Sequence, residues 1–324
     1  MSILVSGGAG YIGSHMVHEL IDEGEEVVVL DNLSTGFRRL LPAAATLVIA
    51  DVGDAKLVRS LLDVNGVDSI IHFAGSIVVP ESIEKPLFYY LNNTCSSRTL
   101  IQCAVEARVK HFIFSSTAAV YGIPDSVPVS ERAPLNPISP YGSSKLMTEL
   151  MLRDAARAHD LRYVALRYFN VAGADPRGRT GQSTSQATHL IKVALQAALG
   201  QKAYLEVFGT DYPTQDGTCV RDYIHVSDLI SAHLAALKYL RAGGESQILN
   251  CGYGRGFSVL EVVEAVKGVT GLDFDIRLGP RRVGDPPRLV ADTHCIKSKL
   301  DWGWKYDDLQ LIVTHALSWE RRPG

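Results

Sequence analysis

Tyr141 and Lys145 lie four residues apart in the stretch SPYGSSKLMTEL, Ser139 to Leu150. In a helix that spacing puts both side chains on one face. The local residues specify such a helix. Ser139 brings a hydroxyl that can accept an orphan backbone N–H as N-cap. Pro140 then falls at the first helical position, where a missing N–H costs nothing. A phenol and an ammonium one turn apart form half of a proton-transfer site. On spacing alone they equally describe two side chains snorkelling at a solvated surface. A third group, the Thr117 hydroxyl, closes the apolar run FIFSST some twenty residues earlier.

The elements that must position these groups alternate along the first half of the chain. ILVSG, EVVVLD, TLVIAD, VDSIIHFAG, KHFIFSST and LRYVALRYFN read as strands. Between most of them run amphipathic segments such as YIGSHMVHELIDEGE and AKLVRSLLDV. TCSSRTLIQCAVEAR is expected inside a long helix. Strands written as continuous apolar runs, each followed by a helix, predict a parallel sheet covered on both faces. Right-handed crossovers make that an α/β doubly wound, Rossmann-type fold. Ligands of such sheets bind at the carboxyl edge of the strands. Thr117 ends a strand at that edge, and Tyr141 and Lys145 begin the next helix there.

The same edge carries a phosphate-binding signature. Gly7, Gly10 and Gly13 separate the first strand from the first helix, and Asp31 closes the second strand. Glycines let the backbone turn tightly and approach a pyrophosphate, and the helix N-terminus supplies N–H donors. The Asp31 carboxylate is placed to accept both ribose hydroxyls of an adenosine and would repel a 2′-phosphate, which favours NAD over NADP. A free phenol, with a pKa near ~10, is a poor base at neutral pH. A lysine cation together with a positive nicotinamide ring favours the phenolate. Tyr141 can then take a proton from an alcohol as hydride leaves the same carbon.

Past Asn170 the alternation breaks. VAGADPRGRTGQSTSQ reads as a long loop, HLIKVALQAALG as a helix, and AYLEVFGTDYPTQDGTCVRDYIHV as irregular structure with short strands. DLISAHLAALKYL followed by QILNCGY reads as one more helix–strand unit returning to the sheet. The expected division is a cofactor domain over residues 1–170, rejoined by 222–253, and a smaller mixed α/β lobe from 171–221 and 254–324. The composition, 46% hydrophobic and 21% charged with a net charge of −3, is that of a globular chain without the basic surface that nucleic acid or anionic membrane requires. Five scattered cysteines without a C-x-x-C pair argue against a disulfide framework or zinc site and fit a reducing cytoplasm. Met1 leads straight into an apolar strand with no basic n-region, so no signal peptide is expected. No apolar run approaches membrane-spanning length, and the histidines show no metal spacing.

GGAGYIGSH, DNLSTG, IHFAG, FIFSSTAAVYG, SPYGSSKLMTE, LRYFNVAGADP, VFGTDYPTQDGTCVRDYIHV and PRRVGDPP together resemble the extended short-chain dehydrogenase/reductases, and within them the UDP-glucose 4-epimerase family, over essentially the whole chain. The resemblance implies that Tyr141 is the acid/base, Lys145 its activator and a ribose ligand, and Thr117 a partner of the sugar 4-hydroxyl. It implies a bound NAD that oxidises C4, a keto-sugar that swings about its diphosphate link, and hydride return to the other face. Tyr11, Ile12, Asn32, Asp51, Val52, Phe73, Ala74, Asn92 and Tyr168 would complete the cofactor site. Asn170, His189, Leu190, Phe208, Arg221, Arg282 and Asp285 would hold the UDP-sugar, the arginines because a planar guanidinium bonds two phosphate oxygens at once. It also implies a homodimer packed through helices of the cofactor domain.

Three departures stand out. Relatives often carry a lysine after HFAG, where this chain reads SIVVPES. Where relatives have two asparagines it reads Thr188-His189-Leu190; His189 is either a phosphate donor whose protonation tunes binding near neutral pH or a helix-cap residue. Leu289 stands where a bulky tyrosine accompanies plain hexoses and a small residue accompanies N-acetylhexosamines. Related reactions remain beside the epimerase: a UDP-pentose or UDP-N-acetylhexosamine 4-epimerase, a 4,6-dehydratase, and an inactive NAD-binding sensor. Ala118 and Ala119 oppose the dehydratase, which needs an acid–base pair there. The intact Tyr141–Lys145 pair opposes the sensor.

Overall fold

A computed structural model describes residues 2–184, 188–282 and 285–322. Six strands, β1 (Ser2–Ser6), β2 (Glu26–Asp31), β3 (Thr46–Ile49), β4 (Val67–His72), β5 (His111–Thr117) and β6 (Arg162–Tyr168), lie side by side in the spatial order 3-2-1-4-5-6. After β7 (Asn170–Ala172), β8 (Leu205–Phe208) and β9 (Val220–His225), strand β10 (Gln247–Cys251) pairs with β6 and makes the sheet seven-stranded and parallel throughout. This is the doubly wound α/β fold that the apolar runs predict. Its strand order reverses beside β1, which opens a crevice at the carboxyl ends of β1 and β4.

The helices are α1 (Tyr11–Asp22), α2 (Ala55–Val64), α3 (Val79–Glu84), α4 (Pro86–Tyr89), α5 (Ser96–Glu106), α6 (Pro140–Ala158), α7 (Leu190–Ala198), α8 (Val226–Arg241), α9 (Val259–Thr270), α10 (His294–Lys299) and α11 (Leu309–Glu320). Side chains of a strand alternate between faces, and here both faces are packed. Ile3, Val5, Val27 and Val29 join Met16 and Leu20 of α1 and Leu229 and Leu237 of α8. Leu4, Val28 and Leu30 join Leu61 of α2, Leu100 of α5 and Leu152 of α6. A fully buried side chain of this kind contributes ~1.5–3 kcal/mol, so a residue-by-residue polar/apolar alternation is not needed on these strands and is absent from them.

The long helix expected around TCSSRTLIQCAVEAR is present up to Glu106, with Thr94 and Cys95 in a π-helical stretch, Tyr90–Cys95, that runs directly into α5. Its buried Asn93 makes a pair of bonds with the Ser76 main chain, N–H to Oδ1 at 2.7 Å and Nδ2 to the carbonyl at 2.9 Å. The loop expected over 171–186 opens instead in strand β7, because Asn170–Ala172 pairs in parallel with Tyr223–His225 of β9. Ser185 and Gln186 of that loop, and Val283 and Gly284 of the PRRVGDPP motif, lie outside the described residues. β9 also carries β11 (Gly256–Ser258) antiparallel and β13 (Arg288–Leu289) parallel, while β12 (Ile276–Gly279) pairs with β8.

Candidate active site

A cleft of about 430 Å³ opens at the carboxyl edge of the sheet, within the size range of small-molecule sites. At one end the chain turns from β1 into α1. Gly7 has φ +70°, and a Cβ there would stand 2.5 Å from the Ala74 amide nitrogen. Gly10 is the N-cap of α1 and no side chain caps the helix, so the first N–H groups remain free donors. Asp31 is buried; its Oδ2 accepts the Ala9 N–H at 2.9 Å and its Oδ1 the Leu33 N–H at 2.8 Å. Burial pushes its pKa up, against the pull of those two bonds. Each oxygen keeps a lone pair for a hydroxyl.

These residues fit a dinucleotide. A glycine cradle, an uncapped helix start and an acid lie together, and Lys145 is the single lysine or arginine among the described residues lining the cleft. With Asp31 and Asp51 also in that lining, a 2′-phosphate would meet like charge. Tyr11, Ile12, Gly13, Asn32, Val52, Phe73, Ala74, Asn92 and Tyr168 line the same cleft. All fourteen residues expected around the cofactor are thus brought together.

At the other end stand Thr117, Tyr141 and Lys145. α6 starts as its sequence specifies: the Ser139 hydroxyl accepts the Gly142 N–H at 3.2 Å, with Pro140 next. Thr117 Oγ1 accepts the Ala119 N–H at 3.1 Å, which leaves its proton free, and its hydroxyl favours the Tyr141 phenolate. Lys145 is buried, donates from Nζ to the Ser115 carbonyl at 2.9 Å and lies 5.0 Å from the Phe114 ring. Burial pushes its pKa down to about 8. In the field of the protein's own groups burial pushes the Tyr141 phenol up, and the Thr117 hydroxyl offsets part of that; the expected lowering involves the nicotinamide ring together with Lys145.

The substrate residues separate into two groups. Asn170 and His189 line the cleft. Leu190 does not: it borders a smaller adjoining cavity of about 40 Å³ with Asn170 and Tyr223. His189 is the N-cap residue of α7 but its side chain makes no capping bond; Nδ1 lies 3.4 Å from Gln182 Nε2. Burial and, second, Lys192 push its pKa below the usual value. Phe208, Arg221, Arg282 and Asp285 are absent from the described cleft lining and form their own cluster. The Arg282 guanidinium lies 3.8 Å from the Phe208 ring centroid, and Arg221 approaches Asp285 at 3.4 Å and donates to the Pro286 carbonyl at 2.7 Å. β9 connects the two groups, since Arg221 is two residues, roughly 7 Å along a strand, from Tyr223, the register partner of Asn170. Leu289, opposite Arg221 on β13, is buried with Phe169, Val120 and Tyr121.

Ser76, Glu81, Ser115, Phe169, Gln182, Thr184 and Thr188 also line the cleft, and no spacing in the sequence marks them. Asn93 was missed as well. It ties Ser76 to Ser144 (Nδ2 to Oγ, 3.1 Å), the residue before Lys145. Its one visible signal is that it follows Asn92.

Residues 3–252 match the NAD dependent epimerase/dehydratase family. The chain belongs to that family. It is similar to a UDP-glucose 4-epimerase of Azospirillum brasilense, 59% identical over 319 residues, which span 98% of this chain and 92% of the relative. A UDP-glucose 4-epimerase of Halalkalibacterium halodurans is 46% identical across 99% of this chain and 96% of its own. The crystal structure of UDP-glucose 4-epimerase from Brucella ovis in complex with NAD superposes with a TM-score of 0.95 at 43% identity, covering 98% of this chain and 97% of that one. Among the described residues no helix is long and apolar enough to cross a membrane, and no group of three or more His, Cys, Asp or Glu is placed to hold a metal.

Proposed function

We propose that this chain is an NAD-dependent isomerase that interconverts UDP-glucose and UDP-galactose by inversion at C4. The observation that carries the reading is the presence of Thr117, Tyr141 and Lys145 in one cleft with the glycine turn, Asp31, Asn170 and His189. NAD held there would supply a hydride acceptor and donor for C4, with no net oxidation of the sugar. Tyr141 accepts the proton of the 4-hydroxyl and later returns it. Thr117 orients that hydroxyl and the phenol. Lys145 holds its ammonium at the floor of the cleft through the Ser115 carbonyl. The glycine turn and the start of α1 receive the pyrophosphate. Asn170 and His189 face the sugar diphosphate, and Arg221, Arg282, Phe208 and Asp285 hold the uridine end. In this reading residues 1–170 with 222–253 serve the cofactor and 171–221 with 254–324 the UDP-sugar.

The test offers UDP-galactose, UDP-N-acetylgalactosamine and UDP-arabinose separately and follows C4 inversion by proton NMR without added NAD. UDP-galactose should invert, on NAD carried through purification. Stoichiometric NADH, or no inversion, would overturn the reading. The N-acetylated arm belongs in the test because buried Leu289 does not project among the described cleft residues.

The active unit in this reading is a homodimer in the cytoplasm, where the five free cysteines stay reduced. An apolar face on α3, α4, the π stretch and α6 calls for a cover: Leu87 is 80% exposed and Leu91 64%, with Ile83, Met147 and Leu150 beside them. Sedimentation velocity should give twice the chain mass, and Leu87→Glu should halve it. A monomeric parent chain would remove the dimer.

A further inference from the structure

Behind the catalytic trio lies a polar network with no contact to the cleft. Glu149 and Arg167 are each about 2% exposed. Arg167 grips the carboxylate with a fork, Nε to Oε1 at 2.9 Å and Nη2 to Oε2 at 2.6 Å, and Ser116 donates its hydroxyl to Oε1. The remaining guanidinium nitrogen, Nη1, donates to the Tyr121 oxygen at 3.0 Å. The Tyr121 hydroxyl donates to Asn250 Oδ1 at 2.6 Å, and Asn250 Nδ2 donates to the Val129 carbonyl at 2.7 Å. Val129 in turn bonds both ways along the main chain, its N–H to Val290 at 2.8 Å and its carbonyl to the Asp292 N–H at 2.9 Å.

The placement of these partners is what carries an argument. Ser116 precedes Thr117, and Tyr121 ends the turn Ala118–Tyr121 whose Ala119 N–H bonds Thr117. Glu149 stands on α6 eight residues after Tyr141 and four after Lys145, on the same side of the helix. One fork of bonds therefore fixes β5, the turn beyond it and α6, the three pieces that bring Thr117 to Tyr141. Its far end reaches the stretch after β13, which pairs with β9 at Arg221.

We propose that the Glu149–Arg167 pair, with Ser116 and Tyr121, is a positioning network that sets the Thr117–Tyr141 contact and joins it mechanically to the 288–292 segment. A buried ion pair adds little net stability compared with an apolar replacement, so its retention beside a reaction centre fits a geometric task. A two-toothed guanidinium–carboxylate contact fixes orientation as well as distance. Misplacement of a reacting group by about 1 Å can lower a rate by about a hundredfold even when the altered residue is remote from the chemistry.

This inference rests on the epimerase reading, and the experiment separates the two. Ser116→Ala removes one bond from the network and Tyr121→Phe two, and both retain the ion pair; Glu149→Gln removes the charge. Each is purified with its NAD and compared with the parent chain. The expected result is a kcat about tenfold to a hundredfold lower, with NAD content and the KM for UDP-galactose unchanged. A second readout needs no substrate: the Tyr141 phenol titration, taken as the ultraviolet difference between each protein and its own Tyr141→Phe version, should shift. Wild-type kcat and an unmoved phenol in Tyr121→Phe would overturn the proposal, as would losses confined to NAD content, KM or melting temperature. If the parent chain turns over no UDP-sugar, the epimerase reading fails while the phenol shift still decides the network.

Discussion

Replacing Tyr141 by phenylalanine is expected to lower kcat for UDP-galactose by about 10²–10⁴-fold, the usual contribution of a positioned acid–base group, with bound NAD retained. The phenyl ring keeps the packing, because the Tyr141 side chain lines the cleft while α6 is held by its Ser139 cap and its buried face. What is lost is the one proton carrier between the 4-hydroxyl and the protein. Lys145 cannot substitute as an ammonium, since a protonated amine has no lone pair to accept the proton. Single-turnover measurement of NADH formation on the purified protein isolates the step. A Tyr141→Phe protein with near-parental NADH formation would remove the mechanism, whereas one that has lost its NAD would relocate Tyr141 to cofactor binding.

Gly13→Ala is the second large effect, and it acts on the cofactor. A Cβ at position 13 would stand 2.1 Å from the Gly7 carbonyl oxygen and 2.7 Å from the Gly8 Cα. Both neighbours are main chain, and Gly7 is itself fixed, because its N–H bonds the Leu30 carbonyl at 2.8 Å. The turn must therefore open. Overpacking of this kind costs roughly 1–3 kcal/mol. If the strain is relieved by displacing the N–H donors at the start of α1, NAD affinity falls by roughly tenfold to a hundredfold. The protein should purify with little NAD and show a lower melting temperature, and added NAD should restore part of its activity. A Gly13→Ala protein with full NAD content and parental melting would show that the glycine turn does not hold the dinucleotide.

Much of this molecule is written locally. Each strand of the main sheet follows from an apolar run, and the sheet is parallel because a helix, or between β2 and β3 a long connection, separates successive runs. The Gly7-Gly10-Gly13 turn, Asp31, the Ser139 cap and the Tyr141–Lys145 spacing are short-range features, readable because each depends on residues within one or two turns. The return of β10 beside β6 was legible for the same reason, as a helix–strand unit with its own periodicity.

Other features were not legible, for a physical reason as well. Asn93, Ser76 and Ser144 meet only after the segments that follow β4 and β5 are packed, and nothing in the identity of Asn93 announces which main-chain groups it will bond. The burial that pushes the Tyr141 phenol up was not legible because spacing fixes which groups are neighbours but not how much water each retains. The Arg167–Glu149 pair is of the same kind: a charged residue in an apolar strand and another on a helix read as ordinary surface charges until burial is known. Sequence by itself determined the fold and the chemical types present at the carboxyl edge, because periodicity and turn chemistry act over a few residues. Tertiary structure alone decided which groups are desolvated, which hydrogen bonds they exchange, and that the Arg221–Arg282 cluster stands apart from the main cleft. Those outcomes depend on contacts between residues far apart in the chain.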